Sequence, residues 1–224
     1  MKPGQIRWLF VVVFGLLIFV TRLVPPLAMG VSIEKSADTY RFQAGTAPWG
    51  LAMSGLIIFL YIVLMYAEPS EPGQPLEGVL RRFVAGWLDF FLALFGITPI
   101  LGILPVVVEW RRTGVFQWTL ERDIPARGDG LISALLVIVM AIALLFYFAF
   151  PILRRKPSPG SCILGYQVVP EGENRLSMAR ALQRILLGFV ALCAWFVTPF
   201  VARDRKKGKL WPDKVLDTQA IRFR

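Results

Sequence analysis

The chain contains no histidine, and only two of its 224 residues are cysteine. The absence of histidine excludes Ser-His-Asp triads, Cys-His pairs, histidine zinc sites and histidine-ligated haem. Cys162 lies in a segment predicted to be cytoplasmic and Cys193 lies in an apolar segment, so we expect both to be reduced packing residues. The sequence therefore predicts no catalytic residue, no metal site and no cofactor.

Charged residues are also scarce, at 18% of the chain, whereas 56% of the residues are apolar. The mean hydropathy of +0.60 is too high for an ordinary water-soluble domain. The 25 Lys and Arg residues outnumber the 15 Asp and Glu residues, and they cluster beside apolar segments. That position is typical of loops that face anionic lipid. We expect the partners to be the lipid bilayer, with anionic lipids at its cytoplasmic face, and not nucleic acid.

Apolar segments of roughly membrane-spanning length recur along the chain. They occupy residues 8–24, 49–67, 83–108, 131–153 and 185–202. Because basic residues flank the last segment on both sides, the positive-inside rule fits best if that segment re-enters and the N-terminus is cytoplasmic. A tilted fifth crossing is the alternative. The sequence thus predicts an all-α membrane protein of the bacterial inner membrane, with four transmembrane helices plus a fifth re-entrant or tilted apolar helix.

A stretch rich in Pro and Glu divides the chain. Residues 68–77 are predicted to be a linker between an N-terminal transmembrane hairpin, residues 1–67, and a second membrane domain, residues 78–224. The connection between the first two apolar segments shows no motif, and residues 109–130 are expected along the membrane interface. Two short β-prone segments, 163–169 and 218–223, are predicted to pair as a small cytoplasmic ribbon.

The second membrane domain opens with R-F-V-A-G-W-L-D, residues 82–89. Arg82, Ala85 and Asp89 match the pattern R-x-x-A-x-x-x-D that begins the RDD family of integral membrane proteins. From about residue 78 to its end, the chain resembles this family.

Three further motifs carry the resemblance in the same order. The stretch P-G-S-C-I-L-G-Y-Q-V-V, residues 159–169, keeps the glycines of a family motif, and L-S-M-A-R-A-L-Q-R, residues 176–184, resembles its basic amphipathic lead into the last apolar segment. In W-P-D-K-V-L-D-T-Q-A-I, residues 211–221, Asp213 matches the second Asp of the family and Thr218 matches its Thr. The residues that these motifs mark are Gly160, Gly165, Arg180, Arg184, Asp213 and Thr218. Ser161 and Cys162 depart from the family, which usually has a basic pair there.

The resemblance implies a membrane-embedded protein, and our first hypothesis is that it is not an enzyme. Some RDD proteins are associated with cation/proton exchange and others are components of larger assemblies. We therefore expect a structural or accessory subunit of a membrane assembly, with other membrane proteins as partners. The alternative is a small secondary transporter that exchanges a monovalent cation for protons through Asp89.

The charged residues of the first motif are seven positions apart, so they lie on one helix face about 10 Å apart. Arg82 is expected at the interface, where it reaches lipid phosphates or a neighbouring carboxylate. Asp89 lies deeper, and it is either a packing carboxyl paired with an arginine (Arg82, Arg180 or Arg184) or a protonatable, cation-binding group. Asp213 is expected to meet Arg82 or an arginine between residues 180 and 184, which would close the inner face of the bundle.

Overall fold

The protein is largely helical, with two small sheets. The computed structural model describes residues 3–23, 30–35, 39–67, 79–125, 129–170, 177–193 and 211–222. Its elements in chain order are α1 (Pro3–Leu23), β1 (Gly30–Lys35), β2 (Thr39–Gly45), α2 (Pro48–Tyr66), α3 (Val79–Thr113), β3 (Thr119–Pro125), α4 (Asp129–Arg154), α5 (Pro159–Ile163), β4 (Tyr166–Pro170), α6 (Met178–Cys193), α7 (Trp211–Leu216) and β5 (Thr218–Arg222).

Three helices of the described chain are long and apolar enough to cross a membrane. These spans are Pro48–Tyr66 in α2, Leu80–Thr113 in α3 and Val137–Arg154 in α4. In α1 the apolar stretch Ile6–Phe19 is shorter, so the total of four transmembrane helices stays a prediction. Residues 194–210 lie outside the described residues, so whether the last apolar segment crosses or re-enters stays a prediction.

The chain divides into two compact units. One unit, called here the motif unit, contains residues 1–12, 59–92 and 145–224, and the other, the sheet unit, contains residues 13–58 and 93–144. Each unit takes residues from both sides of the 68–77 stretch, which itself lies outside the described residues. The division into a hairpin, a linker and a second domain stays a prediction from the sequence.

The sheet unit contains a three-stranded antiparallel sheet in the order β1-β2-β3. Strands β2 and β3 pair from Thr39↔Pro125 to Gly45↔Thr119. In β2, Phe42 and Ala44 are buried whereas Arg41 is exposed, which is the alternation of a strand with one covered face. This sheet was not predicted from the sequence. Strands β1 and β2 lie in a connection that shows no motif, and β3 lies more than 70 residues from β2, in a stretch expected along the membrane interface.

Prolines inside the apolar helices create a need for side-chain donors. Each proline lacks the N–H that would bond the carbonyl four residues earlier. Pro151 in α4 therefore leaves the carbonyl of Tyr147 without its usual backbone donor. In the motif unit the Tyr61 hydroxyl donates to this carbonyl at 2.9 Å, and the two rings stack with centroids 5.0 Å apart. In the sheet unit a hydroxyl also bonds a helix carbonyl, although no proline lies four residues after the acceptor: Ser54 Oγ donates to the Gly96 carbonyl at 2.5 Å. Such bonds matter because lipid offers backbone groups no partner.

The predicted ribbon is present in the motif unit. Strands β4 and β5 pair antiparallel from Tyr166↔Arg222 to Pro170↔Thr218. Tyr166 and Ala220 form a buried apolar cluster with Ala85 of α3. The ribbon therefore packs against the helix that carries the first family motif.

Candidate functional site

One face of α3 positions the three residues of the first motif. Arg82, Ala85 and Asp89 occupy positions i, i+3 and i+7, which share a helix face, and all three are buried. Ala85 contacts the ribbon, whereas Arg82 and Asp89 each contact a different short helix. Both polar clusters of the site are therefore built on a single helix of the motif unit.

The first cluster surrounds the carboxylate of Asp89, which is 5% exposed. Ser158 Oγ donates to Asp89 Oδ2 at 2.5 Å, and the Gly160 backbone N–H donates to Oδ1 at 2.6 Å. Ser158 is also the N-cap of α5, and Pro159 follows at its first position. Asp89 thus accepts one of the backbone donors that a helix leaves unpaired at its start.

Of the two expectations for Asp89, the pairing with an arginine is not found among the described residues. Arg82 lies two helical turns away and is bound by another acid, and Arg180 is exposed. The donors that Asp89 receives from α5 are both uncharged. Among the described residues, the structure gives this carboxylate hydrogen bonds but no ion pair.

Gly160 is the point of closest approach between α5 and α3. A Cβ at this position would lie 2.3 Å from the Ala85 carbonyl oxygen and 2.9 Å from Asp89 Cγ. Since real Cβ atoms do not approach a backbone oxygen so closely, any side chain would separate the two helices. The glycine of the family motif is therefore required by packing at this contact.

Two further side chains lie beside Asp89. The buried Tyr147 hydroxyl is near enough to interact electrostatically with the carboxylate, but it has no partner in good hydrogen-bond geometry among the residues that the structure describes. Cys162 is fully buried, and this burial, with the nearby charge of Asp89, raises its pKa to about 12. The thiol is therefore protonated at neutral pH and is unsuited to act as a nucleophile.

The second cluster surrounds Asp213, which is fully buried in the first turn of α7. Its Oδ2 lies 2.5 Å from Arg82 Nη2, and its Oδ1 lies 2.9 Å from Arg184 Nη2. Thr218 Oγ1 donates to Asp213 Oδ1 at 3.2 Å and accepts a hydrogen bond from Arg184 Nη1. The structure therefore brings together four of the residues that the sequence singles out, with Asp213 meeting both Arg82 and Arg184.

Positive charge exceeds negative charge among the described residues of this cluster, because two guanidinium groups share one carboxylate. Burial lowers the pKa of Arg184, and the charge of Asp213 opposes that shift. Tyr166 is buried beside the cluster, and burial raises the pKa of its hydroxyl. Arg82 Nη1 is buried and has no hydrogen-bond partner in the part of the chain that the structure describes.

The N-terminal helix contacts the loop that carries the second motif. Arg7 Nε donates to the Ile163 carbonyl at 2.7 Å, at the C-terminal end of α5. Gly165 follows in the left-handed region, with φ of 72°, and a Cβ there would lie 3.3 Å from Arg7 Nη1. A left-handed turn beside a guanidinium explains this second glycine.

Sequence reasoning missed three residues of the site. Arg7 resembles an ordinary topology signal, and Tyr147 resembles any aromatic residue of a span. Ser158 was recognisable, because Ser followed by Pro is a common start of a helix. Within the described ranges, no three side chains of Cys, Asp or Glu converge as a metal site would need.

Comparison with known proteins agrees with the motifs. A family model described as the RDD family matches residues 76–217, well over half of the chain. Neither a curated protein nor a solved structure matches the chain. Most of the site residues fall within the matched range, and Thr218 follows directly after it.

Proposed function

The chain belongs to the RDD family of membrane proteins, and from that premise we propose that it is a non-enzymatic structural or accessory subunit of a membrane protein assembly. We place the assembly in a bacterial inner membrane, with the N-terminus cytoplasmic. Its partners are other membrane proteins, and anionic lipids face its basic surface.

The observation that supports this role is that both family acids are engaged in contacts between elements. Asp89 receives a backbone N–H and a hydroxyl from the segment around α5. Asp213 joins α3 and α6 through Arg82 and Arg184. Buried acids used in this way fit residues that assemble a scaffold more closely than residues that bind a substrate.

Reciprocal purification tests the role. The protein, tagged at its native level, is extracted in mild detergent, and any partner is then tagged and used to recover this chain. We expect at least one membrane protein in a fixed ratio in both directions. A single homogeneous species of 25.2 kDa in both the extract and native gels would overturn the proposal.

A second candidate function, exchange of a monovalent cation for protons, is favoured by one observation. Asp89 lies inside the span Leu80–Thr113. It accepts hydrogen bonds from the Ser158 hydroxyl and the Gly160 N–H, and both donors are uncharged. A carboxylate embedded in this way needs a proton or a cation to balance its charge.

Flux measurements separate the two candidates. In proteoliposomes, Asp89→Asn is expected to abolish cation-driven proton movement if the protein is a transporter. Asp217→Asn is the matched control, because Asp217 is exposed and its positive φ of 48° suits asparagine. An equal flux in the wild type, in Asp89→Asn and in empty vesicles would reject the transporter.

A further inference from the structure

The cluster of Arg82, Arg184 and Asp213 has an unused capacity to bind negative charge. Its two guanidinium groups face one carboxylate, and the side chains of Arg82 and Asp213 are 6% and 0% exposed. Buried cations are stable only when nearby charges and hydrogen-bond acceptors replace the water that they lose. By this criterion the described residues of the cluster lack one negative group.

The unsatisfied atom identifies where that group would bind. Arg82 directs Nη2 to Asp213, whereas its Nη1 is buried and has no acceptor among the described residues. A guanidinium presents its donors in a planar fork that matches the oxygens of phosphate or carboxylate. Asp213 occupies one arm of this fork, and an oxyanion at the other arm would satisfy Nη1.

Further positive charge lies between the cluster and the surface. The Arg184 side chain is 12% exposed, so it lies at the outer edge of the cluster. Arg180 is exposed one turn earlier on α6 and shares a helix face with Arg184. Two arginines thus lead from the surface towards Arg82.

We propose that Arg82 and Arg184 form a binding site for a phosphate-type oxyanion, which is supplied either by a lipid headgroup or by free phosphate. Arg82 is the third residue of the span Leu80–Thr113, and residues at the end of a span lie at the depth of the headgroup phosphates. Asp213 holds both guanidinium groups in place, and Arg180 attracts the anion. This site is independent of the role of Asp89 and of any protein partner.

The test is thermal unfolding of the purified protein in a maltoside detergent, which contains no phosphate. One arm adds inorganic phosphate, with chloride at the same ionic strength as the reference. The other arm adds no inorganic phosphate and supplies phosphatidylglycerol in the detergent micelles. We expect the melting temperature to rise by about 5 °C or more in one arm at saturation. A rise with inorganic phosphate identifies a free anion as the ligand, and a rise with phosphatidylglycerol alone identifies a headgroup.

Variants assign the effect to the cluster. Arg82→Lys keeps the charge but loses the fork, so it is expected to weaken anion binding about tenfold. Asp213→Asn raises the positive excess, so the anion is expected to stabilise this variant more than the wild type. Arg112→Gln is the control for loss of one positive charge, because Arg112 is exposed in the sheet unit, and it is expected to respond as the wild type does.

Two results would overturn the site. One is a wild-type melting temperature that changes in neither arm. The other is a rise that Arg112→Gln loses, or that Arg82→Lys and Asp213→Asn both keep unchanged. If Arg82→Lys does not fold, Arg180→Gln decides, because Arg180 is exposed and the loss of its charge is expected to reduce the stabilisation by the anion, whereas a purely structural cluster predicts no change.

Discussion

The two acid-centred clusters of the motif unit bury the same functional group in different ways. Asp89 is held by a hydroxyl and a backbone N–H, whereas Asp213 is held by two guanidinium groups and a threonine hydroxyl. The first arrangement places α5 on α3 and depends on close backbone packing. The second is a charge centre, in which each member depends on the charge of the others. A matched acid in a family motif therefore does not by itself reveal how that acid is stabilised.

The largest effect is expected from Asp213→Asn. This variant leaves two buried guanidinium groups without a carboxylate, and breaking a buried ion pair in this way costs about 3–5 kcal/mol. The free energy of unfolding in detergent, followed by tryptophan fluorescence, measures the loss. Asp217→Asn is expected to remain within about 0.5 kcal/mol of the wild type. Equal stability of the two variants would contradict the charge centre.

Gly160→Ala tests the backbone contact on which the Asp89 cluster depends. The added Cβ would lie 2.3 Å from the Ala85 carbonyl oxygen, so α5 must move away, and overpacking of this kind costs about 3 kcal/mol. Gly188→Ala is the control, because Gly188 lies in α6 with nothing within 4 Å of its added Cβ. We expect Gly188→Ala to be neutral or slightly stabilising, as Ala favours helices.

Asp89→Asn is expected to cost about 2 kcal/mol, less than the same change at Asp213, because it leaves neutral donors rather than cations in need of an acceptor. Loosening of α5 should also expose Cys162. In a Cys193→Ser background, N-ethylmaleimide is expected to modify Cys162 slowly in the native wild type and faster in Asp89→Asn. A larger destabilisation than that of Asp213→Asn would reverse the comparison.

Arg7→Leu is expected to have the smallest effect. It removes a part-buried hydrogen bond, which Arg7 Nε donates to the Ile163 carbonyl. The loss of such a bond costs about 1 kcal/mol. The same unfolding measurement detects it, and Arg112→Leu, at an exposed position, provides the comparison. No difference between the two would mean that the N-terminal helix does not stabilise the second-motif loop.

Much of the candidate site was predictable because the family motifs mark residues individually. Arg82, Asp89, Asp213, Arg184 and Thr218 were all identified from the sequence. The expected contact of Asp213 with Arg82 or with an arginine between residues 180 and 184 agrees with the structure. The partner of Asp89 was not predictable. Its donors are a backbone N–H and a capping serine, and a sequence pattern does not show which backbone group lies beside a given side chain.

The sequence by itself determined that this is a membrane protein of the RDD family, because apolar length and motif order are properties of the chain read in one direction. It also determined the ribbon, since both β-prone segments are visible locally. The tertiary structure decided the pairing of β2 with β3, the contact of Arg7 with α5 and the unequal surroundings of the two acids. These features join residues far apart in the chain, and their energies depend on burial and distance, which exist only after the chain has folded.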